Sequence, residues 1–119
     1  MSLTKEQQES LNDFVKTLSN YADDDQPIDP CTYTDSCGDT ALHIAAFQGN
    51  AKVVQILIDL GLDVNGLGDM GCTPLHYAVM AKSREVVDIL LAAGAANNIK
   101  NQFGQFPLHS MDEYKKQQN

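Results

Sequence analysis

Hydrophobic residues recur along the chain with helical spacing in two successive stretches. In the first stretch, Leu42, Ala45 and Ala46 fall at positions i, i+3 and i+4, which places them on one face of a helix. A second helix is predicted just after it from a longer apolar stripe: Val53, Val54, Leu57 and Ile58. Both patterns return in residues 75–91, so the sequence predicts two helix–turn–helix units.

Polar and glycine residues stand where these helices are predicted to begin and end. Each first helix follows a threonine, and each second helix follows Asn50 or Ser83, all of which are common N-cap residues. Each second helix is followed by a glycine, the residue that most readily takes the left-handed conformation of a helix end. The threonines are Thr40 and Thr73, and the glycines are Gly61 and Gly94.

Three hexamers in the chain align at a constant offset of 33 residues. They occupy residues 38–43, 71–76 and 104–109 and read GDTALH, GCTPLH and GQFPLH. A period of 33 residues that carries G-x-T-P-L-H is the signature of the ankyrin-repeat family, and the chain resembles that family from about residue 35 to residue 114.

The resemblance implies an all-α, ankyrin-repeat solenoid of stacked helix–turn–helix units with loop or hairpin connections. The predicted divisions are an N-terminal capping helix and acidic loop (1–34), a first repeat (35–67), a second repeat (68–100) and a truncated C-terminal capping repeat (101–119). The capping helix is predicted over residues 3–20 from an amphipathic pattern through Leu11, Phe14, Val15 and Leu18.

Three residues depart from the repeat pattern. Lys82 occupies the position of Gly49, and a left-handed conformation there costs a non-glycine residue about 1–2 kcal/mol. Phe106 replaces the capping threonine, whose loss removes a cap worth about 1 kcal/mol. Gly68 stands where the family usually has Asp.

The net charge of −8 is unevenly distributed. Residues 1–40 hold nine acidic and two basic side chains, a net charge of −7. This acidity argues against nucleic acids and anionic membranes as partners, because both would be repelled. A basic protein partner is compatible with it, and so is a role in solubility alone.

Cysteine usage and hydropathy point to a cytoplasmic protein. The chain has three cysteines (Cys31, Cys37 and Cys72) and no C-x-x-C pair, which favours reduced thiols. Charged residues interrupt the first twenty positions, which therefore do not resemble a signal peptide. No run approaches the roughly 18 apolar residues of a membrane span. We expect a monomer.

The sequence gives weaker support to catalytic and metal-binding functions. Equivalent histidines in stacked repeats lie about 8–10 Å apart, too far to share one zinc at about 2.0–2.1 Å. The resemblance instead implies that each histidine orients its turn, partly through the motif threonine. A Cys72–His76 nucleophile pair lacks a third orienting group.

No nucleotide-binding string occurs, and the acidic run at residues 23–25 lacks the ligand spacing of a calcium loop. We therefore predict a protein that is not an enzyme and has no catalytic residues, metal site or cofactor.

Family members typically bind proteins with their loop tips and the exposed side of the first helix, on the concave face. The resemblance therefore predicts a partner-binding set in which aromatic and Met residues form the centre and acidic residues the rim. Its members are Asp39, Phe47, Asp69, Met70, Cys72, Tyr77, Met80, Phe103, Gln105 and Tyr114.

The predicted function is protein–protein interaction, as an adaptor or scaffold. The alternative is an immunity protein, antitoxin or other inhibitor that masks a basic partner enzyme. The salt dependence of complex formation discriminates between the two, because charge-steered association weakens as salt rises.

Overall fold

A computed structural model describes residues 3–18 and 28–107, which form five α-helices. A 3₁₀ turn over Asp69–Gly71 precedes the fourth helix. Within the described residues, β-structure is limited to an isolated bridge between Thr34 and Thr40, and the all-α prediction is confirmed. The helices are α1 (Lys5–Leu18), α2 (Ala41–Phe47), α3 (Ala51–Asp59), α4 (Pro74–Met80) and α5 (Arg84–Ala92).

The helices pack in two layers around one apolar core. Helices α2 and α4 lie side by side in the inner layer, and α1, α3 and α5 follow one another in the outer layer. Helix α1 buries Leu11, Phe14 and Leu18, and Glu6 at its start pairs with Lys52 of α3. It therefore takes the place that the outer helix of a preceding repeat would occupy. The predicted division boundaries themselves stay predictions.

Each inner helix begins with a reciprocal cap. The hydroxyl oxygens of Thr40 and Thr73 accept from the backbone N–H of His43 and His76, respectively. The Nδ1 atom of each imidazole accepts in return from the threonine N–H at 3.0 Å. Two otherwise unpaired donors are satisfied at each helix start, so both predicted threonine caps are confirmed.

Helices α3 and α5 also begin and end at the predicted residues. Asn50 and Ser83 cap α3 and α5 by accepting a backbone N–H of the first turn at 3.2 and 3.4 Å. Gly61 and Gly94 follow the two helices with φ of 99° and 95°. Lys82 keeps the left-handed conformation of its position, with φ of 57°, and therefore carries the backbone strain that its sequence position predicts.

At the C-terminal end of the described part, Phe106 is half-buried and the Lys100 ammonium lies 5.2 Å from the centre of its ring. The helix that the pattern predicts next, and with it residues 108–119, falls outside the described residues. None of the helices in the described residues is both long and apolar enough to cross a bilayer.

Candidate functional site

Three equivalent turns line one edge of the stack, over residues 35–40, 68–73 and 101–106. In each turn the N–H of the first residue donates to the carbonyl of the fifth, at 2.8–2.9 Å. The first side chain then organises two turns: one Oδ1 atom, on Asp35 or Asn101, accepts two backbone N–H groups at 2.9–3.0 Å.

The second turn is held differently, because Gly68 has no side chain to accept those groups. The carboxylate of Asp39, from the preceding repeat, instead holds this turn at a different group, by accepting from the Asp69 N–H at 2.8 Å. A Cβ atom on residue 68 would lie 2.2 Å from the Asp39 Oδ1 atom. The absence of a side chain at Gly68 therefore leaves room for the Asp39 carboxylate.

The Tyr77 hydroxyl donates to the same Asp39 carboxylate, at 2.9 Å from Oδ1. The tyrosine ring lies edge-on between two neighbours, with centroid distances of 5.6 Å to His43 and 5.8 Å to Phe47. Burial, followed by the hydrogen bond and charge of Asp39, raises the pKa of Tyr77 well above its ordinary value. The hydroxyl therefore keeps its proton and remains a donor.

These side chains line an open groove of about 460 Å³ on the concave face, between the first and second repeats. Its wall is partly aromatic and partly acidic, and no Lys or Arg is among the described residues that line it. The lining residues are Asp35, Asp39, His43, Ile44, Phe47, Gln48, Asp69 and Tyr77.

The structure exposes four of the predicted contact residues strongly. Phe47 and Met80, at the ends of the inner helices, are 59% and 51% exposed. At the turn tips, Met70 and Phe103 are 48% and 67% exposed. The Gln102 N–H donates to the Met70 carbonyl at 2.8 Å, which fastens these two tips together.

Other members of the predicted set differ in their surroundings. Gln105 is exposed, and its carbonyl accepts from His76. Asp69 and Tyr77 are half-buried at the groove. Tyr114 lies outside the described residues.

Two residues of the predicted set are held by contacts within the chain. Cys72 is only 6% exposed, and its Sγ atom lies 3.7 Å from the Asn101 amide nitrogen of the third turn, so the next turn covers it. Burial raises the pKa of its thiol. Asp39, predicted at the rim of an interface, lines the groove, and its oxygens accept from the Asp69 N–H and the Tyr77 hydroxyl.

Sequence reasoning did not include Asp35 among the contact residues. Its identity as the first residue of a turn was visible in the repeat alignment. That it lines a groove was not visible there.

The histidines of the motif hold successive repeats together. Because Nδ1 of His43 accepts a hydrogen bond from the Thr40 N–H, the ring proton lies on Nε2, and this N–H donates to the carbonyls of Gly66 and Cys72, at 2.9 and 3.1 Å. In the same way, Nε2 of His76 bonds to the Gln105 carbonyl at 2.9 Å. Both nitrogens of His76 are thus engaged, and neither is placed to take a proton from Cys72.

No group of three His, Cys, Asp or Glu side chains in residues 3–18 and 28–107 is arranged to hold a metal ion. The geometry of the described residues is that of an open recognition surface, in which polar groups either hold the turns or line the groove.

Comparison with known families identifies the repeat. The family model described as ankyrin repeats (3 copies) matches residues 6–101. No curated protein matches the chain. The match spans more than half of the chain, so the chain belongs to the ankyrin-repeat family, whose repeats are generic protein–protein interaction modules.

Proposed function

We propose that this ankyrin-repeat chain is an adaptor or scaffold that binds a partner protein through its concave face and turn tips. The observation that carries the proposal is the exposure of apolar side chains at the ends of the inner helices and at the turn tips: Phe47, Met70, Met80 and Phe103. Large apolar side chains are costly to leave in water, and aromatic residues are enriched at the centres of interfaces.

The outer face of the stack offers less to a partner. Its large apolar side chains, Leu60 and Leu91, are each 37% exposed, against 59% for Phe47 and 67% for Phe103. Several exposed neighbours on α3 and α5 are charged, and charged residues are depleted at interface centres. The contrast supports the concave side as the binding face.

A second candidate is an inhibitor, such as an immunity protein or antitoxin, that masks a basic enzyme. The acidity of residues 1–40 and the three carboxylates on the groove favour it. An inhibitor of this kind would associate with its enzyme much more slowly as salt is added. An adaptor whose binding is centred on Phe47, Met70 and Phe103 would depend weakly on salt.

The experiment that tests the proposal uses the triple variant Phe47→Ala/Met70→Ala/Phe103→Ala. Tyr77 is left intact because its hydroxyl holds Asp39. We expect a partner captured by the wild-type chain from its native source to bind the variant at least ~10-fold more weakly. The melting temperature should change little, since all three side chains are about half exposed or more.

The matched control, Leu60→Ala/Leu91→Ala, truncates apolar side chains of the outer helices and should bind as the wild type does. Normal partner binding by the triple variant, or equal losses in both variants, would place the interface elsewhere.

We also propose that the chain works as a cytoplasmic monomer without catalytic activity. Its three cysteines are free thiols, with Cys31 and Cys37 exposed and Cys72 buried, as expected for a reducing compartment. A thiol reagent should therefore modify two cysteines quickly and the third only on unfolding. Fast modification of all three would contradict the buried position of Cys72.

A further inference from the structure

The groove holds negative charge that the described residues do not offset. Asp35, Asp39 and Asp69 all line it, and no Lys or Arg side chain is among its described lining residues. Carboxylates on one concave surface attract a cation strongly, because the surrounding protein screens them less than water does.

Part of the hydrogen-bonding capacity of these carboxylates is unused. Asp39 is occupied by Asp69 and Tyr77, whereas Asp35 uses only Oδ1 to hold its turn. Within the described residues, the carboxylate of Asp69 makes no hydrogen bond. The groove therefore presents acceptor oxygens from Asp35 and Asp69 to whatever enters it.

An aromatic surface lies beside these acceptors. The Phe47 ring is 59% exposed and meets the Tyr77 ring at an interplanar angle of 84°, an edge-to-face contact. Aromatic ring faces attract cations, and a planar cation gains stacking contact as well.

We infer that this groove receives the guanidinium of an arginine side chain from the partner protein, an inference that rests on the function proposed above. A guanidinium is planar, remains charged at all physiological pH values, and donates several hydrogen bonds in one plane. It can therefore stack on the Phe47 ring while its N–H groups donate to the oxygens of Asp35 and Asp69. The volume of about 460 Å³ lies within the usual range of ligand pockets, about 300–1,000 Å³.

A nuclear magnetic resonance titration with three pentapeptides tests the inference. The peptides read Gly-Ser-X-Ser-Gly, with arginine, citrulline or lysine at X; citrulline keeps the planar shape of arginine but has no charge. We expect the arginine peptide to shift the amide resonances of Asp39, Asp69 and Tyr77 with a Kd of about 1 mM. The citrulline peptide should bind roughly tenfold more weakly and the lysine peptide about threefold more weakly.

The variant Asp35→Asn/Asp69→Asn removes two groove charges without disturbing the turns. Asn101 already shows that an asparagine holds such a turn through the same two N–H groups. The control Asp59→Asn/Asp88→Asn makes the same change in net charge at exposed positions of the outer helices. We expect the groove variant to lose at least ~10-fold in affinity for the arginine peptide and the control to lose little.

Two results would overturn the inference: arginine and citrulline peptides of equal affinity, or no shift of the three groove amides at roughly ten times the expected Kd. The capture experiment with the triple variant tests the proposed function independently of the arginine inference. If the triple variant still loses its partner, the arginine inference alone is wrong. If it binds normally, the proposed function is wrong as well.

Discussion

The junction between the first and second repeats differs from the junction between the second and third, although both use the same motif. At the first junction, His43 donates to the Gly66 carbonyl of its own repeat and to the Cys72 carbonyl of the next, and Asp39 adds bonds to Asp69 and Tyr77. At the second junction, within residues 28–107, His76 bonds to one carbonyl of the next turn, and the Gln102 N–H donates to the Met70 carbonyl.

The position 33 residues after Asp39 is Cys72. In place of a carboxylate with two partners, it offers a sulfur that accepts a weak hydrogen bond from Asn101 at 3.7 Å. Repeat stacks are stabilised by contacts between neighbours, so the two junctions contribute unequally to the whole. The difference teaches that two junctions built on one motif can be held differently when a variable position of the repeat changes.

The largest expected effect comes from removing the junction histidines one at a time. His43 is fully buried and His76 is 5% exposed, and His43 holds more groups in place. We expect His43→Ala to lower the free energy of unfolding by about 3 kcal/mol and His76→Ala by about 1.5 kcal/mol. Urea unfolding followed by circular dichroism measures both. Equal losses would show that the two junctions are equivalent after all.

A carboxylate restored at position 68 should be the next most costly change. The family usually has Asp there, but in this chain the new Cβ would lie 2.2 Å from Asp39 Oδ1 and bring a second negative charge against it. We expect Gly68→Asp to cost about 2 kcal/mol.

The same substitution made in an Asp39→Ala background should cost less, because the clash and charge conflict with the Asp39 carboxylate are removed and only the His43 ring, 3.0 Å from the new Cβ, must give way. Additive losses in the double variant would mean that Gly68 and Asp39 do not depend on each other.

The Asp39–Tyr77 hydrogen bond links the groove to the first junction, and a double-mutant cycle isolates it. Asp39→Ala also leaves the Asp69 N–H without its acceptor, so we expect a loss of about 1.5 kcal/mol. Tyr77→Phe removes only the hydroxyl and should cost less. We expect a coupling energy of about 1 kcal/mol between the two changes. A coupling energy near zero would mean that the Asp39–Tyr77 hydrogen bond does not stabilise the junction.

Protonation of His43 provides a pH test of the first junction. Burial, the largest influence, lowers the pKa of His43 below its ordinary value of 6.5, although hydrogen bonds to Gly66 and Cys72 and the charge of Asp39 oppose it. Protonation also removes the Nδ1 acceptor of the Thr40 N–H. Because the unfolded chain binds this proton more readily, the stability contribution is present above pH 6.5 and is lost as the pH falls towards the folded pKa.

The contribution of one proton is at most about 1.4 kcal/mol per pH unit. Urea unfolding between pH 7 and pH 5 should show this loss in the wild type and a flatter dependence in His43→Gln. A variant with the same slope as the wild type would assign the pH dependence to other groups.

The sequence predicted the parts of the fold that depend on local chemistry. Thr40, Thr73, Asn50 and Ser83 were recognised as caps because a side-chain oxygen at a helix start has one evident use. Their geometry agrees with that use in each case.

The site was less predictable, because the alignment gives a residue's place along the repeat but not the neighbours it meets across the junction. Asp39 and Cys72 share one alignment position. The first meets a backbone N–H and a hydroxyl, and the second lies beneath the following turn. The Asp39 side chain can point towards the second repeat because Gly68 has no side chain. This relation between two repeats is not revealed by periodicity alone.

The smallest predicted effect concerns the turn between the helices of each repeat, where the first repeat has Gly49 and the second has Lys82. Both residues are left-handed, with φ of 68° and 57°. Lys82→Gly relieves a strain of about 1–2 kcal/mol but gives the unfolded chain more freedom, so we expect a net gain of about 0.5 kcal/mol.

The reciprocal change, Gly49→Ala, introduces the strain without a compensating contact and should cost about 1 kcal/mol. Chemical unfolding of the two variants beside the wild type gives both values. A loss of stability in Lys82→Gly would show that the lysine side chain stabilises its turn by more than the backbone strain costs. The second repeat would then be adapted to its lysine, and the two turns would differ in more than strain.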